Sequence, residues 1–323
     1  QYVAGFQLLD LQDFSGQGTA LVGMLDAFME SKGLITPEEW RMFCSDCVLL
    51  AQFPSYTLIS GEMFTAKVSM RTVLPQDGTV EWVLMNENGD TLGKGSFSGK
   101  QEPGLSEIGR IFCPMPEEIS SPERLFLILS LTDTDVCNAY DLMLYPAIAM
   151  PELETQETLC ITEQLDEALA ALQEGKRVLF LPTETAQSIP GFYCTDFWCY
   201  PMFRDICNWM KKPVAVGTMG LCIQQDHPAL AQFPSQKYST PQWYDLVSAA
   251  DCAILDDTPE GFTPIVQMID NFERNHKLGI LWEAQVGNGN SAGLLGVILE
   301  ICLDILVGVV ADDLDGVLVG AHG

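Results

Sequence analysis

The pattern of apolar and polar residues changes along the chain and separates three folded parts from a tail. Apolar residues recur at helical spacing in much of residues 1–46, alternate with polar residues over 47–150, and form short continuous runs between helical stretches over 151–289. Residues 290–323 combine an apolar run with acidic residues and follow none of these patterns. The pattern therefore predicts three domains and an atypical apolar-acidic tail, which suits a chain of 323 residues.

The first part is predicted to begin with a short strand over residues 3–9. A polar loop with glycines follows, and then a helix over 19–32 with one apolar face. A second short helix is predicted after Thr36, because Thr36 and Glu39 have the spacing of a capping box.

The loop after the first strand holds the candidate binding residues. Asp10, Gln12 and Asp13 would lie at the carboxyl end of a strand, where βα barrels and open α/β sheets carry their ligand groups. From spacing alone, Asp10 and Asp13 fit loop and helix-cap roles better than a functional role.

The second part is predicted to be an immunoglobulin-like antiparallel β-sandwich. Apolar and polar residues alternate in several short runs at close spacing, and turns are predicted at 75–78 and 86–89. The predicted strands are 64–70, 80–85, 110–113, 125–131 and 138–146.

The third part alternates helices with apolar strands, which predicts an α/β domain with an open flavodoxin-like or glutamine-amidotransferase-like sheet. A helix is predicted after Thr162 and ends at Gly175. Cys222 has neither the second glycine of a nucleophile elbow nor a placed histidine, so a structural domain is favoured over an active one. The predicted strands are 177–181, 214–217, 252–256, 265–269 and 278–283.

Charge and cysteine usage exclude several function classes. The net charge of −28 disfavours nucleic acid and anionic membranes and suits a neutral partner such as a sugar. The cysteines are eleven, an odd number, and Cys44 and Cys47 form a lone C-x-x-C pair, so zinc is not expected. We expect structural or surface roles for His227, His276 and His322.

The tail contains an apolar run over residues 294–310. Glu300 and Asp304 interrupt this run, and at about 17 residues it is short for a membrane span. No Lys or Arg follows Lys277, and the hypothesis is that the tail is a frameshifted or artefactual end.

The N-terminal residues resemble a known enzyme family. Residues 5–23, followed by 25–28 and 31–33, are similar to the last barrel strand and helix of glycoside hydrolase family 2, which contains β-galactosidases, β-glucuronidases and β-mannosidases. Several later segments resemble the accessory domain of a multidomain bacterial branch of that family. These segments are 192–203, 227–230, 243–246, 255–259 and 266–277.

The resemblance implies a retaining, β-galactosidase-like enzyme that acts on terminal β-linked sugars. The first 46 residues would then be the remnant of a (β/α)8 barrel, and the two catalytic glutamates, which retaining enzymes hold about 5 Å apart, would lie upstream of Gln1. The absence of an initiator Met agrees with a chain cut from something longer.

For this chain the resemblance implies binding residues and no catalytic ones. Asp10, Gln12 and Asp13 would donate or accept hydrogen bonds at the rim of the sugar subsite, and Phe14 would form an apolar wall. No cofactor or metal is expected, the expected partner is a carbohydrate, and homo-oligomerisation stays open. A bacterial periplasmic or cytoplasmic location would follow. The alternative is a non-catalytic carbohydrate-binding or interaction module.

Overall fold

The computed structural model describes residues 6–8, 10–16, 21–147, 157–182, 188–191, 201–212, 218–271, 274–285 and 293–297. The chain divides into two compact units, 1–146 and 147–323. The described residues are rich in β-sheet in both units, with short helices between the strands.

The first unit begins with an irregular segment in place of the helix predicted over 19–32. Residues 21–32 contain isolated bridges and turns but no helix. The reason is local: Asp26 Oδ1 accepts hydrogen bonds from the backbone N–H groups of Phe28 and Glu30, and Met29 has a φ of 67°. This side-chain–backbone turn competes with helix formation. Most of the strand predicted over 3–9 lies outside the described residues, and 6–8 are not in a strand.

The predicted capping box is confirmed. Helix α1 spans Pro37–Arg41, the hydroxyl of Thr36 accepts a hydrogen bond from the Glu39 backbone, and the Glu39 carboxylate accepts one from the Thr36 backbone. The helix is only five residues long.

Two sheets follow in the first unit. Strands β1, β3 and β6 form an antiparallel sheet in that order, and the other strands form a sheet of order β2–β8–β7–β4–β5, antiparallel except for the pair β2–β8. The strands are β1 (Cys47–Gln52), β2 (Thr57–Ile59), β3 (Met63–Thr72), β4 (Gln76–Asn86), β5 (Thr91–Gln101), β6 (Gly104–Pro114), β7 (Glu123–Leu131) and β8 (Cys137–Tyr145).

Both sheets of the first unit contribute to one hydrophobic core. Every second residue of a strand points to the same face, and the alternating apolar residues of β3, β4, β6, β7 and β8 meet in this core. Val68 of β3 and Leu84, Leu127 and Leu144 of the other sheet are completely buried. The strands predicted at 64–70, 80–85, 110–113, 125–131 and 138–146 are confirmed in these elements.

One of the two predicted turns is confirmed. At 86–89, Asn86 Oδ1 accepts hydrogen bonds from the backbone N–H groups of Asn88 and Asp90, and Gly89 takes a φ of 87°. The turn predicted at 75–78 is wrong for 76–78, because these residues already pair with β5 at the start of β4. Cross-strand pairing there outweighs the local turn preference of aspartate and glycine.

Strand β5 has no apolar alternation and was not predicted. Its glycines make room for a large side chain on β4: a Cβ atom at Gly95 would lie 2.7 Å from Nε1 of Trp82. A Cβ atom at Gly93 would lie 2.4 Å from the sulfur of Cys113 on β6. The composition of this strand therefore follows from packing with its neighbours.

Polar side chains of β8 tie the edge strand β1 to the opposite sheet. Asn138 Nδ2 donates to the carbonyl of Leu49 at 2.7 Å and to the Tyr140 hydroxyl at 3.1 Å, and that hydroxyl accepts from the backbone N–H of Ala51 at 2.9 Å. Burial raises the pKa of Tyr140, so the hydroxyl stays protonated at neutral pH. Leu144 thus belongs to the hydrophobic core of the first unit, and Tyr140 packs against it.

The second unit has a mixed sheet. Its order is β11–β13–β15–β16–β10–β9, and β14 pairs with β15 and β12. Its elements are β9 (Leu159–Thr162), α2 (Leu165–Gln173), β10 (Arg177–Phe180), β11 (Ser188–Pro190), α3 (Pro201–Met210), β12 (Gly220–Ile223), α4 (Tyr244–Ala249), β13 (Asp251–Ile254), β14 (Val266–Ile269), β15 (Lys277–Gln285) and β16 (Gly293–Val297).

Four of the five strands predicted in the second unit are found, and the one at 214–217 lies outside the described residues. Among the described pairs, β10 is parallel to β9 and to β16, and the others are antiparallel. Strand β16 comes from residues assigned to the tail, yet it lies between β10 and β15. Residues 298–323 lie outside the described part of the chain. Within that part, no helix has the length and apolar character needed to cross a membrane.

We expect Tyr140→Phe to loosen β1. The substitution removes the acceptor for the Ala51 N–H and leaves a partly buried donor unpaired, which costs about 1–3 kcal/mol. Hydrogen exchange of the amides of β1 measures this loss as faster exchange. Tyr56→Phe is the matched control, because Tyr56 is 40% exposed. Equal exchange in the two variants would contradict the role assigned to the Tyr140 hydroxyl.

Candidate functional site

Asp13, one of the predicted binding residues, is a buried anchor of the N-terminal segment. Its Oδ1 accepts hydrogen bonds from Nζ of Lys32 at 2.7 Å and from the backbone N–H of Gly23 at 2.9 Å. Lys32 Nζ also donates to the carbonyls of Leu21 and Gly23. The ammonium of Lys32 therefore holds two stretches of the segment together.

The ion pair lowers the pKa of Asp13. The hydrogen bond from Lys32 has the largest influence and holds the pKa of Asp13 below its ordinary value, although burial of the carboxyl acts in the opposite direction. Asp13 is therefore ionised at neutral pH.

The other three predicted binding residues lie around this anchor. Gln12 is exposed, Phe14 is 57% exposed and Asp10 is half-buried. The Phe14 ring lies over Gly16, where a Cβ atom would come within 2.9 Å of it. The four residues thus lie on one loop that the Asp13–Lys32 ion pair holds in place, and the side chains of Gln12 and Phe14 are exposed to solvent.

An open groove of about 400 Å³ lies on the three-stranded sheet of the first unit. Its base contains the buried residues Ala66 and Ile111. Its walls and rim combine aromatic, cationic and neutral polar side chains, from Phe53, Phe112, Lys67, Arg110, Gln52 and Thr65. The volume is in the range of small-molecule sites.

Sequence reasoning missed this groove. Its residues come from three strands and from Phe53 and Pro54, which follow β1, and no local motif links them. The signal that the sequence does contain is the alternation itself: Lys67 lies between the apolar residues Ala66 and Val68, and Arg110 precedes Ile111, so both cations occupy positions that face away from the core.

A histidine–aspartate pair lies in the second unit. His276 Nδ1 is 2.7 Å from Oδ2 of Asp256, and Oδ1 of Asp256 accepts from the backbone N–H of Lys277. The His276 bond is the largest influence that holds the pKa of Asp256 below its ordinary value. The backbone N–H of His276 donates to Asp270, which also binds Arg274.

These contacts fix the connection between β14 and β15. A carboxylate that orients an imidazole is part of many general-base systems, but both oxygens of Asp256 are used here to hold that connection. We therefore assign the pair a structural role, as the sequence favoured for His276.

The other predicted features give no metal centre in the described residues. No group of three or more His, Cys, Asp or Glu side chains is arranged to hold a metal ion there. Cys44, Cys47 and Cys222 are free thiols. His227 caps a short 3₁₀ turn through Nδ1, which accepts from the Ala229 N–H, and His322 lies outside the described residues.

Two sequence families match this chain, one in each unit. Residues 62–146 match "Domain of unknown function (DUF8488)", and residues 160–294 match "Domain of unknown function (DUF8487)". No curated protein matches the chain.

Three solved structures show low-scoring similarity to this chain. The alkylpurine DNA glycosylase AlkC of Pseudomonas fluorescens, bound to DNA with an abasic-site analogue, is 12% identical over 31% of this chain and 30% of its own, with a TM-score of 0.24. A β-glucuronidase from glycoside hydrolase family 2 is 8% identical over 30% of this chain and 11% of its own, with a TM-score of 0.22. The C-terminal domain of Wzt is 11% identical over 33% of this chain and 77% of its own, with a TM-score of 0.25. Scores this low do not assign a fold or a function.

We expect the N-terminal segment to lose its order on acidification. Because the pKa of Asp13 is lower in the folded chain than in the unfolded chain, the ion pair stabilises the segment at neutral pH and stops doing so as pH falls through the lowered pKa. Lys32→Met removes the ion pair, so the segment should already exchange faster at neutral pH, and the stability that the wild type loses on acidification should be absent.

Hydrogen exchange of residues 10–32, corrected for the intrinsic pH dependence, measures both effects. Glu38→Gln is the matched control, because it breaks the exposed pair with Arg41 and should have little effect. An unchanged pH profile in Lys32→Met would show that the ion pair does not hold the loop.

Proposed function

We propose that this chain is the C-terminal portion of a retaining, β-galactosidase-like glycosidase of the family 2 type, which acts on terminal β-linked sugars. Its catalytic glutamates would be encoded upstream of Gln1. In this proposal the first unit contains the end of a (β/α)8 barrel and an immunoglobulin-like sandwich. The second unit is a flavodoxin-like or glutamine-amidotransferase-like accessory domain.

The loop over residues 10–14 carries the proposal. The buried ion pair between Asp13 and Lys32 fixes the loop, and the neighbouring residues Gln12 and Phe14 are both exposed to solvent. Sugar subsites use such groups: the amide orients hydroxyls by hydrogen bonds, and the ring packs on the apolar face of the sugar. These residues also belong to the stretch that resembles the last barrel strand.

The architecture of the first unit supports the same assignment. Two mainly antiparallel sheets share one core directly after the segment that resembles the barrel end, which is the module order that the resemblance implies. Seven earlier strands would be needed to close a barrel around this segment. The chain would then contribute substrate contacts and support, while proton transfer and nucleophilic attack would belong to the upstream strands.

A non-catalytic carbohydrate-binding module is the second candidate. The groove beside Phe112 favours it, because an exposed ring among polar side chains on a sheet face suits sugar binding whether or not an enzyme is attached. The two candidates differ in what the upstream sequence encodes.

We predict that the chain does not hydrolyse a chromogenic β-galactoside. Neither proposed catalytic glutamate belongs to it, so p-nitrophenyl β-galactoside should be released no faster than with a heat-inactivated sample. Hydrolysis above that control, and proportional to protein concentration, would place catalytic groups within the chain and overturn the proposal.

We predict that the reading frame upstream of Gln1 encodes a βα barrel with glutamates at the ends of two strands. Sequencing the genomic region tests this directly. An upstream frame that encodes an unrelated binding or scaffold domain would support the non-catalytic module in place of the enzyme.

A further inference from the structure

The groove on the three-stranded sheet contains two cations directly opposite each other. Strand register pairs Gln52 of β1 with Lys67 of β3, and Lys67 with Arg110 of β6. Directly opposite residues on antiparallel strands have Cβ atoms about 4.5–5.5 Å apart on the same face. The row Gln52–Lys67–Arg110 therefore crosses the groove from one edge strand to the other.

This pairing is unfavourable on its own. Like charges directly opposite on a sheet destabilise it, and the chain has only 16 Lys and Arg residues against 44 Asp and Glu residues. Two of these few cations nevertheless lie side by side on one open surface. Such an arrangement is stabilised when an anion binds between them.

A bulge in β6 partly balances the two charges. The register between β3 and β6 shifts next to Ile108, so that Glu107 lies opposite Ser69 while Arg110 lies opposite Lys67. The shift places Glu107 on the same face as Arg110, and its carboxylate is 3.0 Å from Nε of Arg110. This contact uses Nε of Arg110. A guanidinium with five N–H donors and an ammonium with three can each hold a partner and still donate to a ligand.

The groove also offers an apolar wall. Phe112 is 64% exposed and lies opposite Thr65, next to the cation row. On the other side, Phe53 is held by ring contacts with Tyr56, Phe64 and Tyr140 at centroid distances of 4.9, 5.9 and 5.5 Å. An exposed aromatic ring beside hydroxyl and amide groups suits the alternating apolar and polar faces of a sugar.

We propose that this groove binds a sugar ring that carries one anionic group, a carboxylate or a sulfate. Lys67 and Arg110 bind the anion through charge-assisted hydrogen bonds, Gln52 and Thr65 bind neighbouring hydroxyls, and Phe112 packs against the ring. The choice of an anion follows from the groove alone, whereas the choice of a sugar rests on the proposed function.

The charge of the whole protein limits the ligand to few charges. A net charge of −28 repels long polyanions. A single anionic group can be matched locally by Lys67 and Arg110 within a distance that salt screens only partly. The site therefore fits one acidic sugar residue better than an extended acidic polymer.

Titration calorimetry with galacturonate, galactose 6-sulfate and galactose tests the proposal. We expect at least one of the two acidic sugars to bind about tenfold more tightly than galactose, as for one charge-assisted hydrogen bond. The two acidic arms distinguish a carboxylate from a sulfate. Binding should also weaken at high salt.

Variants assign the effect to the groove. The double variant Lys67→Gln/Arg110→Gln should remove the preference for the acidic sugars, and Phe112→Ala should weaken binding of every sugar. Arg124→Gln and Leu105→Ala are matched controls, because they remove a cation on the other sheet and an exposed apolar residue elsewhere on β6. Circular dichroism confirms that each variant is folded.

Several results would overturn the inference. Equal affinity for galactose and both acidic sugars, or an unchanged preference in the double variant, would exclude anion recognition by Lys67 and Arg110. Acetate or sulfate binding as tightly as the matching acidic sugar would exclude recognition of the ring. These outcomes are independent of the upstream sequence, so failure of the groove leaves the glycosidase assignment untouched. Failure of the glycosidase assignment would leave anion binding by the groove untouched, because only the choice of a sugar rests on that assignment.

Discussion

The shared hydrophobic core of the first unit fixes what its surface can do. Each strand commits every second side chain to this core, so the residues between them must face outward. On β3, burial of Ala66 and Val68 fixes the direction of Lys67, and on β6 burial of Ile111 does the same for Arg110 and Phe112. The chemistry of the groove is thus a consequence of the core beneath it.

Buried hydrogen bonds hold the edge strand β1 against the opposite sheet. The carbonyl of Leu49 and the N–H of Ala51, on the edge strand β1, are bonded by Asn138 and Tyr140 from the opposite sheet. Tyr140 also contacts the ring of Phe53, which forms a wall of the groove. One tyrosine therefore links the two sheets and shapes the surface at their edge.

Single carboxylates organise the irregular segments in both units. Asp13 binds Lys32 and Gly23 in the N-terminal segment, and Asp256 binds His276 and Lys277 beside β15. In each case one carboxylate contacts a backbone N–H and a side chain from residues distant in sequence. Such loops can be rigid without a core of their own, since ionised acceptors make the stronger hydrogen bonds.

The sequence by itself determined the elements whose signals are local. Alternation predicted β3, β4, β6, β7 and β8, and the spacing of Thr36 and Glu39 predicted the start of α1, because neighbouring residues alone set these patterns. Only the tertiary structure decided the rest. The glycines of β5 depend on Trp82 of another strand, the partner of Asp13 lies 19 residues away in Lys32, and β16 becomes a strand by pairing with β10 and β15. The groove depends on the register of β3 and β6 and on the bulge at Ile108. The sequence of one strand does not determine the register in which it pairs with a distant strand.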